Sequence, residues 1–282
     1  MTVQLRRAIN AARRRLRRPQ LERGVPPREI NHNQLLHKRD NAAYVREFKQ
    51  VACLRLLPFL MRNGLTPSSS LLDYGCGPGS LAFAASKFLS DDGHYYGYEP
   101  IQKNVAFLRD AYSDRPNFHF GGDDLRLDED YVSIQQGAQR HGGVAAHEVD
   151  LAKFVDRPID VQWTHSVFTH MWAEPIVHML KEFTKVTKPG RPCINTWLII
   201  DDFAAYALRC GEGVADCLLP YKINGIWTYS LENPLLRSAY ELDDVKDIYR
   251  RAGHKIEDIL WGSWSGRDNG VTFIDIVISR PI

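Results

Sequence analysis

The sequence predicts an α/β fold: a doubly wound, seven-stranded, mainly parallel sheet with helices on both faces, an N-terminal helical extension and a lid-like insertion. Three observations carry that expectation. From residue 70 onward, apolar β-type runs alternate with helical stretches, as strands joined by crossover helices require. The run Leu71–Tyr74 leads straight into Gly75-Cys76-Gly77-Pro78-Gly79, with a helical pattern opening behind it. An acid, Glu99, closes the second strand 20 residues beyond Gly79, where nucleotide-binding sheets place a ribose ligand.

The elements follow in order. Leu5, Ile9, Ala12 and Leu16 share one face of a helix over residues 1–18, which Pro19 stops. Residues 19–30, with three prolines, read as a linker. A second helix runs from Asp40 to Arg62, capped by Asp40 and kinked at Pro58. Strands are expected at Leu71–Tyr74, Tyr95–Tyr98, Phe118–Phe120, Ile159–Trp163, Cys193–Ile200, His254–Leu260 and Val271–Ser279. Helices fall at Leu81–Leu89, Val105–Ala111, Pro175–Val186 and Leu242–Ala252. Two stretches break the rhythm: polar residues 121–158, with a helix around Tyr131–Gln139, and aromatic-rich residues 202–238, read as a lid over an acceptor.

The 282 residues, 44% apolar and 25% charged, fit one decorated domain over 31–282 behind a basic arm over 1–30. Residues 1–30 carry nine Arg and two Glu; the other 252 carry 27 basic and 32 acidic side chains. The arm therefore suits an anionic membrane surface, RNA or another polyanion, or a solvated tail, and a mitochondrial targeting peptide shares its composition. Five Cys without a C-x-x-C pair argue against a disulfide framework and a structural zinc site, and a reduced, cytoplasmic setting is expected. No apolar run reaches the roughly 18 residues of a membrane span.

Two details separate the glycine turn from a dinucleotide fingerprint. Ser80 stands where the third glycine would be, and Asp73 precedes Gly75 by two residues. That carboxylate repels a pyrophosphate and tolerates a cationic aminoacyl group. The segment L-L-D-Y-G-C-G-P-G resembles motif I of the class I S-adenosylmethionine-dependent methyltransferases, which have a Rossmann-like sheet. Gly97-Tyr98-Glu99-Pro100 is similar to the acidic motif after their second strand. Ser166-Val167-Phe168-Thr169-His170-Met171 resembles an S-V-F-T-H-[LM] segment of a bacterial subgroup with many sugar- and small-molecule-modifying members. Val186-Thr187-Lys188-Pro189-Gly190-Arg191 resembles the V-L-K-P-G-G turn, with Thr187 and Arg191 as departures. The resemblance covers residues 40–282 and is strongest over 70–100 and 160–200.

The resemblance implies S-adenosyl-L-methionine as cofactor and an antiparallel last strand. It places Gly75 and Gly77 against the aminoacyl end with Asp73 nearby, Glu99 on the ribose, Asp124 (or its neighbour Asp123) on the adenine, and Ser166 in the pocket wall. His170, after the fourth strand, is the candidate base for a hydroxyl acceptor, on a sugar or small metabolite. A histidine merely bonded to a loop carbonyl is the alternative. Asp201 and Asp202 are candidate substrate or metal contacts, or solvated acids. Methyl transfer to an amine or RNA, a catalytically inactive cofactor-binding partner and a dinucleotide-dependent dehydrogenase are the rival readings. Metal ligands and oligomeric state are not legible.

Overall fold

The computed structural model describes residues 22–27, 40–123, 125–126, 144–145, 148–211 and 218–282. The helix expected over 1–18, the helix around Tyr131–Gln139 and Asp124 lie outside them.

Helix α1, Asn41–Gln50, starts at Asp40, whose carboxylate accepts the Ala43 N–H at 2.8 Å. A π-helical stretch, Val51–Leu56, joins it to α2, Leu57–Arg62. The kink expected at Pro58 takes this form. Proline has no N–H and crowds the carbonyl four residues back, and the widened turn routes the Leu57 N–H to Ala52 five residues back.

Strand β1, Ser70–Tyr74, is followed by α3, Ser80–Phe88, then β2, His94–Tyr98, α4, Gln102–Ala111, and β3, Phe118–Gly121. Two short strands, β4 Leu125–Arg126 and β5 Val144–Ala145, pair with each other. The main sheet resumes with β6, Val161–Thr164, α5, Ala173–Val186, and β7, Cys193–Trp197. After β8, Ile199–Ile200, come α6, Asp202–Cys210, β9, Tyr221–Ile223, β10, Ile226–Thr228, and β11, Ser238–Glu241. Helix α7, Leu242–Arg251, and strands β12, His254–Leu260, and β13, Asp275–Pro281, close the chain.

The main sheet has seven strands in the order β12-β13-β7-β6-β1-β2-β3. Strands β1, β2, β3, β6 and β7 pair in parallel, and β13 runs antiparallel to both β7 and β12. The chain winds outward from β1 to β3 and then returns to β6 on the other side of β1. That reversal opens a crevice at the carboxyl ends of β1 and β6, where open α/β sheets bind ligands. One face of the sheet buries Leu72, Tyr74, Phe183 and Tyr249 beneath α5 and α7. The other buries Leu71, Leu81, Leu108 and Trp163 beneath α2, α3 and α4.

Four expectations need correction. The strand expected over Cys193–Ile200 breaks at Leu198, so β7 belongs to the main sheet and β8 to a second one. Residues 202–238, which lacked a readable pattern, supply α6 and most of that second sheet, ordered β8-β11-β10-β9. It packs on its own core of Leu198, Ile200, Ala204, Leu219, Ala239 and Trp264. The last strand starts at Asp275 rather than Val271, because Val271 N–H turns back to the Trp261 carbonyl in a loop. Residues 22–27 of the expected linker are docked: Val25 is buried, Tyr44 donates to the Pro26 carbonyl at 2.8 Å, and Arg23 donates to the Ala111 carbonyl at 2.6 Å.

In the core, the Tyr249 hydroxyl accepts Trp197 Nε1–H at 3.0 Å and Asn195 Nδ2–H at 3.2 Å. Replacing it with Phe leaves two buried donors without an acceptor. Tyr249→Phe is expected to lower unfolding free energy by about 2 kcal/mol, read from the urea midpoint at unchanged slope.

Candidate functional site

The end of β2 shapes the glycine turn. The Tyr98 carbonyl accepts Gly75 N–H at 2.8 Å and Cys76 N–H at 3.2 Å. One residue on, Glu99 Oε2 accepts Gly77 N–H at 2.9 Å, while Oε1 accepts Ile101 N–H at 3.0 Å and Asn104 Nδ2–H at 3.3 Å. Gly75 sits at φ +76°, and a Cβ there would come within 2.3 Å of Val167 Cγ2. Only glycine satisfies both conditions. Gly77 is also left-handed, at φ +53°, but a Cβ there would meet nothing within 4 Å. Gly77 thus faces open space, bounded by its own loop, and that is the cradle a ligand can fill.

Asp73 and Glu99 are both buried, 3% and 4% exposed. Asp73 stands behind the turn and accepts the Tyr95 hydroxyl. Burial pushes each carboxyl up to about 7. For Asp73 the Glu99 charge adds to burial and the Tyr95 bond opposes it; for Glu99 the Ile101, Gly77 and Asn104 donors oppose it. Two acids poised this way suit a ligand that brings positive charge and hydroxyl donors. Cys76 is buried, and burial with the Asp73 and Glu99 charges pushes its thiol well above the ordinary value. Asp123, next to the position proposed for adenine, accepts the Tyr98 hydroxyl at 3.0 Å.

The loop after β6 forms the facing wall. Ser166 is held at φ +54°, unusual for a residue with a side chain, and its N–H donates to Thr196 Oγ1 at 2.8 Å. His170 ends the 3₁₀ turn Phe168–His170. Its Nδ1 lies 2.9 Å from the Leu235 carbonyl, which assigns the proton to that nitrogen. Burial holds its pKa below the ordinary value, the Leu235 and Leu236 backbone opposes this, and the Arg237 charge adds to the lowering. The same turn is tied to the second sheet by Ser238 Oγ–H on the Thr169 carbonyl at 2.9 Å and Tyr240 O–H on the Met171 carbonyl at 2.7 Å. Leu235, Ser238 and Tyr240 thus hold this turn against the second sheet along the carboxyl edge.

Sequence reasoning missed His165. Its imidazole opens to solvent at the end of β6 and stacks on Trp163 at 5.7 Å. The surrounding protein lowers its pKa from the ordinary value, so it is neutral at pH 7. The period-two pattern Val161, Trp163, His165 was the available signal. Asp201, singled out as a substrate or metal contact, caps α6 through Ala204 N–H at 3.0 Å and pairs with Arg267. Among the described residues no helix is long and apolar enough to cross a membrane.

A parallel sheet with this strand order, reversing beside a strand–glycine turn–helix unit, is a Rossmann-like architecture with its crevice at the glycine turn. Residues 72–194 match the family model described as a methyltransferase domain. Solved structures with a similar fold include the O-methyltransferase NcsB1 from neocarzinostatin biosynthesis, in complex with S-adenosylmethionine and 2-hydroxy-5-methyl naphthoic acid. It is 10% identical with a TM-score of 0.50, over 86% of this chain and 57% of that one. The mitomycin 7-O-methyltransferase MmcR is 15% identical with a TM-score of 0.48, over 88% of this chain and 60% of that one. The magnesium protoporphyrin IX methyltransferase ChlM of Synechocystis PCC 6803, with bound SAH, is 15% identical with a TM-score of 0.48, over 88% and 92%. The chain thus spans about three fifths of the length of NcsB1 and MmcR.

The raised carboxyl groups give a pH dependence of definite sign. Their folded-state pKa near 7 exceeds the unfolded value near 4, so the folded protein binds more protons in between. Their stabilising contribution is complete below about pH 4 and is lost as pH rises through about 7. Urea midpoints of the cofactor-free protein should fall across that window, and the slope should flatten in Asp73→Asn/Glu99→Gln.

Proposed function

We propose that the protein transfers a methyl group from S-adenosylmethionine to a hydroxyl of a small-molecule or sugar acceptor. The observation that carries the cofactor part is the Gly77 cradle, open in front and locked behind by the buried Glu99 carboxylate. Glu99 would hold the ribose hydroxyls, Gly75 and Gly77 would line the aminoacyl end, and Asp73 would add negative charge behind it. Ser166 would line the pocket through its strained backbone, and Asp124 would take the adenine amino group. When bound, the cofactor supplies a methyl group on a positively charged sulfur, a leaving group already activated. The chain's own contribution is then alignment and exclusion of water. A hydroxyl acceptor must also lose a proton. His170, neutral and fixed by Leu235, is the proposed base.

The arginine-rich residues 1–18 are proposed as a contact for an anionic membrane surface or polyanion, with the enzyme itself in the cytoplasm. RNA as acceptor is the second reading of that arm. It requires salt-dependent RNA binding that disappears when residues 1–30 are deleted.

Calorimetric titration with S-adenosylhomocysteine tests the cofactor site. Affinity should fall at least about tenfold in Glu99→Ala and in Gly77→Ala, whose methyl group enters the cradle. His170→Asn should keep that affinity while lowering kcat about 100-fold or more. Unchanged turnover removes His170 as base, and a product methylated on nitrogen or carbon removes the hydroxyl acceptor.

A further inference from the structure

The carboxyl edge holds a second constellation, away from the glycine turn. Loop residues 261–274 connect β12 to β13 at the same edge as Gly75, Ser166 and α6. The loop is fixed by Asp275, a buried carboxylate that accepts Gly262 N–H, Trp264 Nε1–H and Ile199 N–H, each at 2.7 Å. What it presents is Arg267. The guanidinium carbon lies 4.3 Å from the Phe203 ring centre and 4.8 Å from that of Trp261. Nη2 donates to Asp201 Oδ2, and the two side chains are only 15% and 18% exposed.

The hydrogen bonding of this pair is incomplete. A guanidinium has five N–H donors. Among the described residues Asp201 is the one acceptor Arg267 has, and its Nε is buried without a partner. A carboxylate offers about four lone-pair sites. Asp201 uses two, for Arg267 and Ala204 N–H. An ion pair kept only to clamp the loop to α6 would be expected to spend its donors on nearby carbonyls, since a buried donor without an acceptor costs stability.

Charge narrows the ligand. Arg267 and Asp201 cancel, so there is no surplus positive charge to attract an anion. Adjacent unused donors and acceptors match neighbouring hydroxyls, each of which both donates and accepts. Phe203, 42% exposed, adds an apolar flat surface beside them. Asp201 follows Thr196, the partner of Ser166, by five residues, a reach of up to about 17 Å. The pair therefore lies no farther from Thr196 than one acceptor molecule can span.

We propose that Arg267, Asp201 and Phe203 form an acceptor subsite for a neutral, hydroxyl-rich ring, a sugar unit separate from the hydroxyl that receives the methyl group. This rests on the methyl-transfer reading and narrows its acceptor to a glycan or glycoside.

The test is a printed glycan array probed with labelled, S-adenosylhomocysteine-saturated protein. Calorimetry with S-adenosylhomocysteine comes first, so that a failed cofactor site is recognised separately. Wild type should bind a restricted set of neutral glycans. Arg267→Met, which keeps the aliphatic stem between the rings, and Arg267→Lys, which keeps the charge without the fork, should each weaken that binding at least about tenfold. Both should retain S-adenosylhomocysteine affinity. Phe203→Ala should weaken the same spots. Absence of glycan binding, binding confined to anionic glycans, or binding unchanged in Arg267→Met would each overturn the proposal.

Discussion

The site hangs on the end of β2. One peptide carbonyl, Tyr98, takes two successive N–H groups of the glycine turn, and the next side chain, Glu99, takes a third. The turn cannot change shape without leaving buried polar groups unpaired. Burying Glu99 is costly in itself, as its raised pKa records, and the three donors around it offset that cost. The parallel register of β1 with β2, Asp73 opposite Gly97 and Tyr74 opposite Tyr98, is what sets these partners in place. Gly75 and Gly77 both take positive φ in this turn, and at Gly75 Val167 also leaves no room for a side chain.

The far wall depends on a second buried carboxylate. Asp275 begins β13 and faces three donors from three parts of the chain: the loop at Gly262, the indole of Trp264 and β8 at Ile199. It joins the main sheet to the small one where the chain crosses from β7 to β8. The small sheet then fixes the turn after β6 through Leu235, Ser238 and Tyr240. The two walls meet where Val167 packs on Gly75.

Much of the main sheet was legible because its signals are local. Leu71–Tyr74 and Cys193–Ile200 are apolar runs, and the strand–glycine turn–helix order is written in consecutive residues. The small sheet was not, because β8 to β11 are two to four residues long and show no period. Glu99 and His170 were singled out from position alone, whereas His165 and Arg267 gain meaning only through Trp163, Phe203 and Asp201, which the fold brings to them. Residues 22–27 looked like a linker for the same reason: Ala111 and Tyr44, which hold them, lie far along the chain.

The docking of that short segment also sets a direction. Arg23 is tied to Ala111, the last residue of α4, and to Asp114 just past it, and Glu22 to Lys49 and Lys87, the latter in the last turn of α3. Both α3 and α4 run from the carboxyl edge of the sheet to its amino edge, so the chain enters the fold on the side opposite the crevice. The clamp made by residues 22–27 is thus remote from the crevice, and loosening it would cost stability without reshaping the glycine turn.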